Sequence, residues 1–509
     1  MPNPSRPRAA AVTAAVVLLS SVLAGCTDDS DSGDGGDLSA QKLDWKDCPT
    51  PSAAEGGGDA PSPLPKGGTW QCATMKAPLD WDKPKGDTIG LALVRAKSSG
   101  PKDQRIGSLV FNFGGPGGSG VTTLPAFGSE YTKLRTRYDL VSFDPRGVGR
   151  SDGVKCENDE QLDEYFQQDS TPDDAAETKN LVDNVTQFNK ACEKNSGKVL
   201  PHVATTDAAR DMDLMRQVLG DDKLHYMGVS YGTQLGGVYA HLFPDKVGRL
   251  VLDAVVDPTA GSVGHSLNQT RGFQRALDNY LESTGQDPDR GTRRIAALLK
   301  RLDAKPLPTS GDRALNQSLA TIGITVTLYS RSSWPALTRG LEAAEKGDGT
   351  ALLALADAYN ERSSAGHYSS QSHSQRAISC LDDKERPTPR EAKERLDSFR
   401  EISPVFGEFM AWDTAGWCHD WPVPGQYATP EVSAPGAAPI LVVGNTGDPA
   451  TPYEGARRMA DELGKGVGVE LTWKGEGHGA YGSGSSCVDS TVNGYLLEGR
   501  IPRDGKVCS

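Results

Sequence analysis

Residues 224–240 read LHYMGVSYGTQLGGVYA, an apolar run closed by Gly228-Val229-Ser230-Tyr231-Gly232 and followed at once by a helix-forming segment. Strand, sharp turn and helix follow in that order, with a serine at the tip. The glycines two positions to either side explain the spacing: a hydroxyl presented on so tight a turn needs neighbours without side chains, so that strand and helix can pass closely. Ser230 is therefore a candidate nucleophile. A second match to the same five-residue pattern, Gly149-Arg150-Ser151-Asp152-Gly153, is not followed by an amphipathic helix and is set aside.

The segments around the elbow extend the pattern. Short apolar runs at 89–94, 108–113, 140–143, 224–227, 249–252, 440–443 and 469–473 predict strands, and they alternate with amphipathic stretches such as 207–219 and 233–243. Such alternation predicts an α/β fold with a mainly parallel central sheet. After Asp257-Pro258 the strands stop until about Trp421, and helical periods run through 268–281, 292–302, 334–345, 351–359 and 389–406. A helical block between two strands of one sheet is an insertion. Emerging at the carboxyl ends of the strands, where ligands bind in open sheets, it would roof the site as a cap.

An elbow serine needs a base, an acid that orients the base, and donors for the oxyanion, with acid and base following serine in chain order. The chain has eight histidines. His202 and His225 precede Ser230, whereas His241, His265, His367 and His373 fall in the following helix or the insertion. His419 would need an acid from the insertion and would leave the last strands unused. His478, in Gly477-His478-Gly479 just beyond the last long strand, is the candidate base. Asp448, in the loop after the preceding strand, is the candidate acid. Glu454, Asp461 and Glu462 belong to a following helix, and Glu476 reads as a solvated loop residue. Thr451 is a candidate to steady the acid loop. For the oxyanion, the N–H of Tyr231 follows the nucleophile, and the glycine-rich run 114–120 supplies a second, with Gly115 preferred over Gly114. A phosphate cradle is the weaker reading of that run, because no Gly-Lys-Ser/Thr follows it.

Charge and cysteines bound the rest. With 54 Lys and Arg against 67 Asp and Glu, the net charge of −13 argues against a general nucleic-acid binder. Arg6 and Arg8 precede an uncharged stretch, 9–24, that ends in Leu23-Ala24-Gly25-Cys26, which resembles a bacterial lipoprotein signal with Cys26 as the lipidated residue; an ordinary secretory peptide cut nearby is the alternative. Nine cysteines less Cys26 leave an even number suited to disulfides, and they fall in local couples: Cys48 with Cys72, Cys156 with Cys192, Cys380 with Cys418, Cys487 with Cys508. No C-x-x-C or H-E-x-x-H occurs, so neither metal nor organic cofactor is implied. The expected organisation is a signal over 1–25; the lipidated cysteine, an acidic glycine-rich tether and a loop over 26–68; the first part of the core over 69–257; the cap over 258–421; and the rest of the core over 422–509.

Five segments together, Gly114-Gly115-Pro116-Gly117-Gly118-Ser119-Gly120, Asp144-Pro145-Arg146-Gly147-Val148-Gly149-Arg150-Ser151, Gly228 to Thr233, Gly447-Asp448-Pro449-Ala450-Thr451-Pro452 and Gly477-His478-Gly479, resemble the α/β-hydrolase serine peptidases that include proline iminopeptidases and actinobacterial tripeptidyl aminopeptidases. The resemblance implies an α/β-hydrolase fold with an inserted helical cap. It also implies an enzyme that releases short peptides, typically tripeptides, or a single residue from free N-termini through an acyl-enzyme on Ser230; the lipoprotein-like segment and the even set of cysteines lead to the separate expectation that it is exported and lipid-anchored on the outer face of the bacterial cell membrane. A carboxylesterase or lipase with the same triad, or a non-catalytic surface binding lipoprotein, are the competing expectations.

Overall fold

The computed structural model describes residues 37–52, 61, 63–65 and 67–509; the signal, Cys26 and the acidic tether lie outside the described residues. Ten strands form one sheet: β1 (Lys46–Asp47), β2 (Gln71–Pro78), β3 (Thr88–Ala96), β4 (Gly107–Asn112), β5 (Tyr138–Phe143), β6 (Leu224–Val229), β7 (Val247–Asp253), β8 (Ile440–Gly447), β9 (Gly468–Glu476) and β10 (Lys506–Cys508). Their order is β1-β2-β3-β5-β4-β6-β7-β8-β9-β10. The first three strands pair antiparallel, and every pairing from β5 through β10 is parallel. The seven sequence-predicted strands are all present. The three missed strands are β1, β2 and β10, two of them only two or three residues long at the sheet edges.

Alternation along each strand explains how the sheet is buried on both faces. Val110, Leu250, Leu252, Ile440 and Val442 pack on one side with the helices Thr205–Leu219 and Tyr231–Leu242. Leu109, Phe111, Val251, Leu441 and Val443 pack on the other with Gly120–Phe127 and Ser486–Glu498. Helix boundaries follow local chemistry. Asp174 and Glu177 form a capping box at the start of Ala175–Ser196, and Gly220, at φ +79°, ends Thr205–Leu219 in the left-handed conformation.

Between β7 and β8 the chain is helical, from Ser262–Ser283 to Gly407–Cys418, around an apolar cluster of its own that includes Phe273, Leu277, Leu319, Leu337, Phe399, Phe406 and Trp412. The helix expected over 389–406 stops at Ile402; Ser403 and Pro404 follow, and a new helix starts at Gly407. Three insertion helices escaped prediction: Gln317–Leu328, Gln371–Asp382 and Gly407–Cys418. The chain before β6 contributes as well. Asp163, in helix Asp159–Phe166, accepts two hydrogen bonds from Arg362 and one from Tyr368 of the insertion.

Disulfides join Cys48 to Cys72, Cys156 to Cys192, Cys380 to Cys418 and Cys487 to Cys508. Under the core, Arg146 is wholly buried and donates to both oxygens of Asp211, each at 2.7 Å, and to the carbonyls of Pro78, Leu79 and His202. Because removing one partner of a buried pair strands the other charge, Asp211→Ala is expected to destabilise the protein by about 3–5 kcal/mol, measurable as a fall in the thermal unfolding midpoint.

Candidate active site

Parallel pairing of β6, β7, β8 and β9 brings the loops that follow them to one edge of the sheet. Ser230 directly follows β6 at φ +58° and ψ −128°, a backbone conformation strained for a residue with a side chain. The flanking glycines are required: a Cβ on Gly228 would come within 2.3 Å of the Gly232 carbonyl, and one on Gly232 within 2.4 Å of the Asn112 carbonyl. Ser230 lines a chamber of about 620 Å³ lying between the sheet edge and the insertion, and Gly115, Tyr231 and Thr451 line it too.

Asp448 is buried, and His478 stands beside it with Nδ1 3.0 Å from both carboxylate oxygens. The carboxylate also accepts the N–H of Ala450 (3.0 Å), the N–H of Thr451 (2.9 Å) and the Thr451 hydroxyl (3.0 Å), so the sequence-predicted Thr451 does bond the acid. That hydroxyl lies 3.3 Å from His478 Nδ1 as well. Burial disfavours the His478 imidazolium, but the charge and hydrogen bond of Asp448, aided by Asp253, outweigh it and raise the pKa above the ordinary histidine value.

Asp253, which the sequence did not single out, connects the pieces. Its carbonyl accepts the Ser230 N–H at 3.2 Å, while its buried carboxylate accepts the N–H groups of Ala480 and Tyr481 at 2.9–3.1 Å. One residue at the end of β7 thus registers the elbow against the histidine loop. The insertion also grips that loop, since the His478 N–H donates to the Tyr329 carbonyl at 2.7 Å and the Tyr329 ring meets the imidazole edge-on at 5.2 Å.

On the other side of Ser230, Gly114 is at φ +92°, and a Cβ there would fall 2.9 Å from the Ser230 Cβ and 3.0 Å from the Tyr231 nitrogen. The Gly114 N–H donates to the Asn112 side chain. The Gly115 N–H has no protein acceptor among the described residues, and the Tyr231 N–H opens a helix, where amides lack intrahelical partners. The Tyr231 side chain bonds Thr205, whose hydroxyl and N–H both reach Asp382 of the insertion.

The two set-aside residues are both accounted for. Ser151 is fully buried, its hydroxyl donating to the Asp144 carbonyl and accepting from the Ala92 N–H, so it cannot meet a substrate. Glu476 is half-buried rather than solvated as expected: its carboxylate accepts from Asn279 of the insertion at 3.0 and 3.1 Å.

An elbow serine over a chamber, an imidazole held by a buried carboxylate and the strand run β2-β3-β5-β4-β6-β7-β8-β9 around it define an α/β-hydrolase. Residues 403–508 match the family model described as TAP-like protein. The chain is 37% identical over 460 residues to the serine protease Hip1 of Mycobacterium tuberculosis, spanning 86% of this chain and 87% of that protein. It is 34% identical over 463 residues to carboxylesterase B of the same species, spanning 87% and 86%. It is 31% identical over 488 residues to a tripeptidyl aminopeptidase of Streptomyces lividans, spanning 92% and 86%. The protein belongs to this TAP-like family of α/β-hydrolases and is a serine hydrolase of the peptidase or esterase kind.

A fluorophosphonate probe is expected to label the wild-type protein and the Ser151→Ala variant but not Ser230→Ala, with intact-mass spectrometry as the readout.

Proposed function

We propose that the protein is an exported serine exopeptidase that releases short peptides, three residues at a time, from substrates with a free N-terminus. The observation that carries this reading is the roof. Ser230 faces a chamber of about 620 Å³ bounded by the helical insertion, and a chamber roofed over much of its extent admits the end of a chain more readily than its middle. In this reading residues 258–421 act as the cap.

The chemistry follows from the placement of each group. Neutral His478 takes the Ser230 hydroxyl proton as Oγ attacks the scissile carbonyl, and Asp448 holds the imidazole in the correct tautomer and stabilises the imidazolium that forms. The carbonyl oxygen becomes an oxyanion that accepts from the N–H groups of Gly115 and Tyr231. Collapse breaks the C–N bond, and His478 returns the proton to the leaving amine. Water, deprotonated by the same imidazole, then hydrolyses the acyl-enzyme. Thr451 keeps the acid oriented and Asp253 keeps base and nucleophile in register.

Four disulfides favour an oxidising compartment. With the lipoprotein-like segment that ends at Cys26, they support export and anchoring at the outer face of the cell membrane by a lipid on that cysteine.

The peptidase reading is tested with a tripeptidyl anilide bearing a free amine, its N-acetylated form and a short acyl ester. Acetylation is expected to lower kcat/KM by about ten- to hundredfold, as for the loss of a charged hydrogen bond; an unchanged rate would overturn the exopeptidase reading in favour of an esterase. Because only neutral His478 accepts the proton and its pKa is raised, kcat/KM should decline on acidification with a midpoint above the ordinary value of 6.5. Stopped assays across pH, with stability checked at each value, give that midpoint.

A further inference from the structure

Five acidic residues line the chamber, and four are committed elsewhere. Asp257 binds Thr259, Asn268 and Arg458; Asp382 binds Thr205; Asp383 accepts the N–H groups of Ser262 and Glu385; Glu454 pairs with Arg275. The fifth, Asp413 in helix Gly407–Cys418, has no hydrogen bond or ion pair among the described residues. Desolvation pushes its pKa up to about 6, with the charge of Arg376 acting the other way, so it is mainly ionised at neutral pH.

Arg376, in helix Gln371–Asp382, lines the same chamber and is 3% exposed. Its guanidinium packs on Phe188 at 4.4 Å, Trp417 at 5.0 Å and Tyr165 at 5.3 Å, and donates to the Tyr165 hydroxyl, yet Nε and Nη1 meet no acceptor. Two desolvated opposite charges that stop short of an ion pair are costly unless something else matches them. The Cys380–Cys418 disulfide joins their two helices and so limits how far the charges can move toward each other. The unpaired Arg376 donors are closed off from the chamber, whereas Asp413 lines it, so what fits is a cation at Asp413, and the α-ammonium of an unblocked peptide is one.

Aromatic neighbours connect the catalytic imidazole to this carboxylate. The Tyr329 ring lies 5.2 Å from His478 and 6.2 Å from Tyr359, whose phenol in turn feels the Asp413 charge.

We propose that Asp413 is the carboxylate that reads the substrate's free amino terminus, taking the α-ammonium at the chamber wall, with the buried Arg376 fixing the local field but making no contact with the substrate. This rests on the exopeptidase reading and names its specificity residue. The test compares wild type, Asp413→Asn and Asp413→Glu on the free-amine and N-acetylated tripeptidyl anilides, with fluorophosphonate labelling of Ser230 reporting that each variant is folded. Asp413→Asn is expected to raise KM for the free-amine substrate about ten- to hundredfold, bringing the ratio of free-amine to acetylated kcat/KM close to one. Asp413→Glu, which retains the charge, is expected to keep a ratio well above one. A labelled Asp413→Asn protein with the wild-type ratio would overturn the subsite while leaving the exopeptidase reading in place. So would Asp413→Glu losing the ratio as fully as any labelled Asn variant. A wild-type ratio of one would remove both.

Discussion

The last residue of β7 carries the constraint on which the site depends. Asp253 receives the elbow's backbone through its carbonyl and the histidine loop through its carboxylate, so two loops that start from strands on either side of it are held in one register. Catalytic geometry tolerates little play, and an elbow whose serine is already strained at φ +58° needs its surroundings to over-determine it. A buried carboxylate is expensive unless its lone pairs are filled. Here they are filled by amides of the very segment that must be positioned.

The insertion belongs to the site rather than merely covering it. Asp382 reaches through Thr205 to the Tyr231 side chain, whose backbone N–H faces the reacting centre in the proposed mechanism. Asn279 grips Glu476 two residues before the histidine, and Asp163, from a helix of the preceding chain, clamps Arg362 and Tyr368 from below. Helix Gln371–Asp382 even packs part of its apolar face, Ala377, Ile378 and Leu381, into the cluster beneath the sheet. Roof and base therefore share a core as well as a chamber.

How much of this was legible in the sequence depended on range. Ser230, Asp448, His478 and the 114–120 run sit in short segments whose composition is dictated by local backbone needs, so a few adjacent residues reveal them. The long central strands were equally plain, because burial on both faces leaves continuous apolar runs. Asp253 looks like any acid that ends a strand, and its role appears only when residues more than two hundred positions away donate to it. Glu476 read as solvated because its partner, Asn279, comes from another element. Helix Gly407–Cys418, which carries Asp413, gave no period: apolar residues such as Phe409, Met410, Trp412 and Trp417 surround it on several sides, as expected for a helix packed between layers.

The bond from the His478 N–H to the Tyr329 carbonyl makes the protein an interlocked device. If the roof were to lift at that seam to admit a chain, the strut would part and the imidazole loop would lose a support on which its alignment rests. Access at that seam and alignment of the imidazole would then be coupled through a single backbone hydrogen bond.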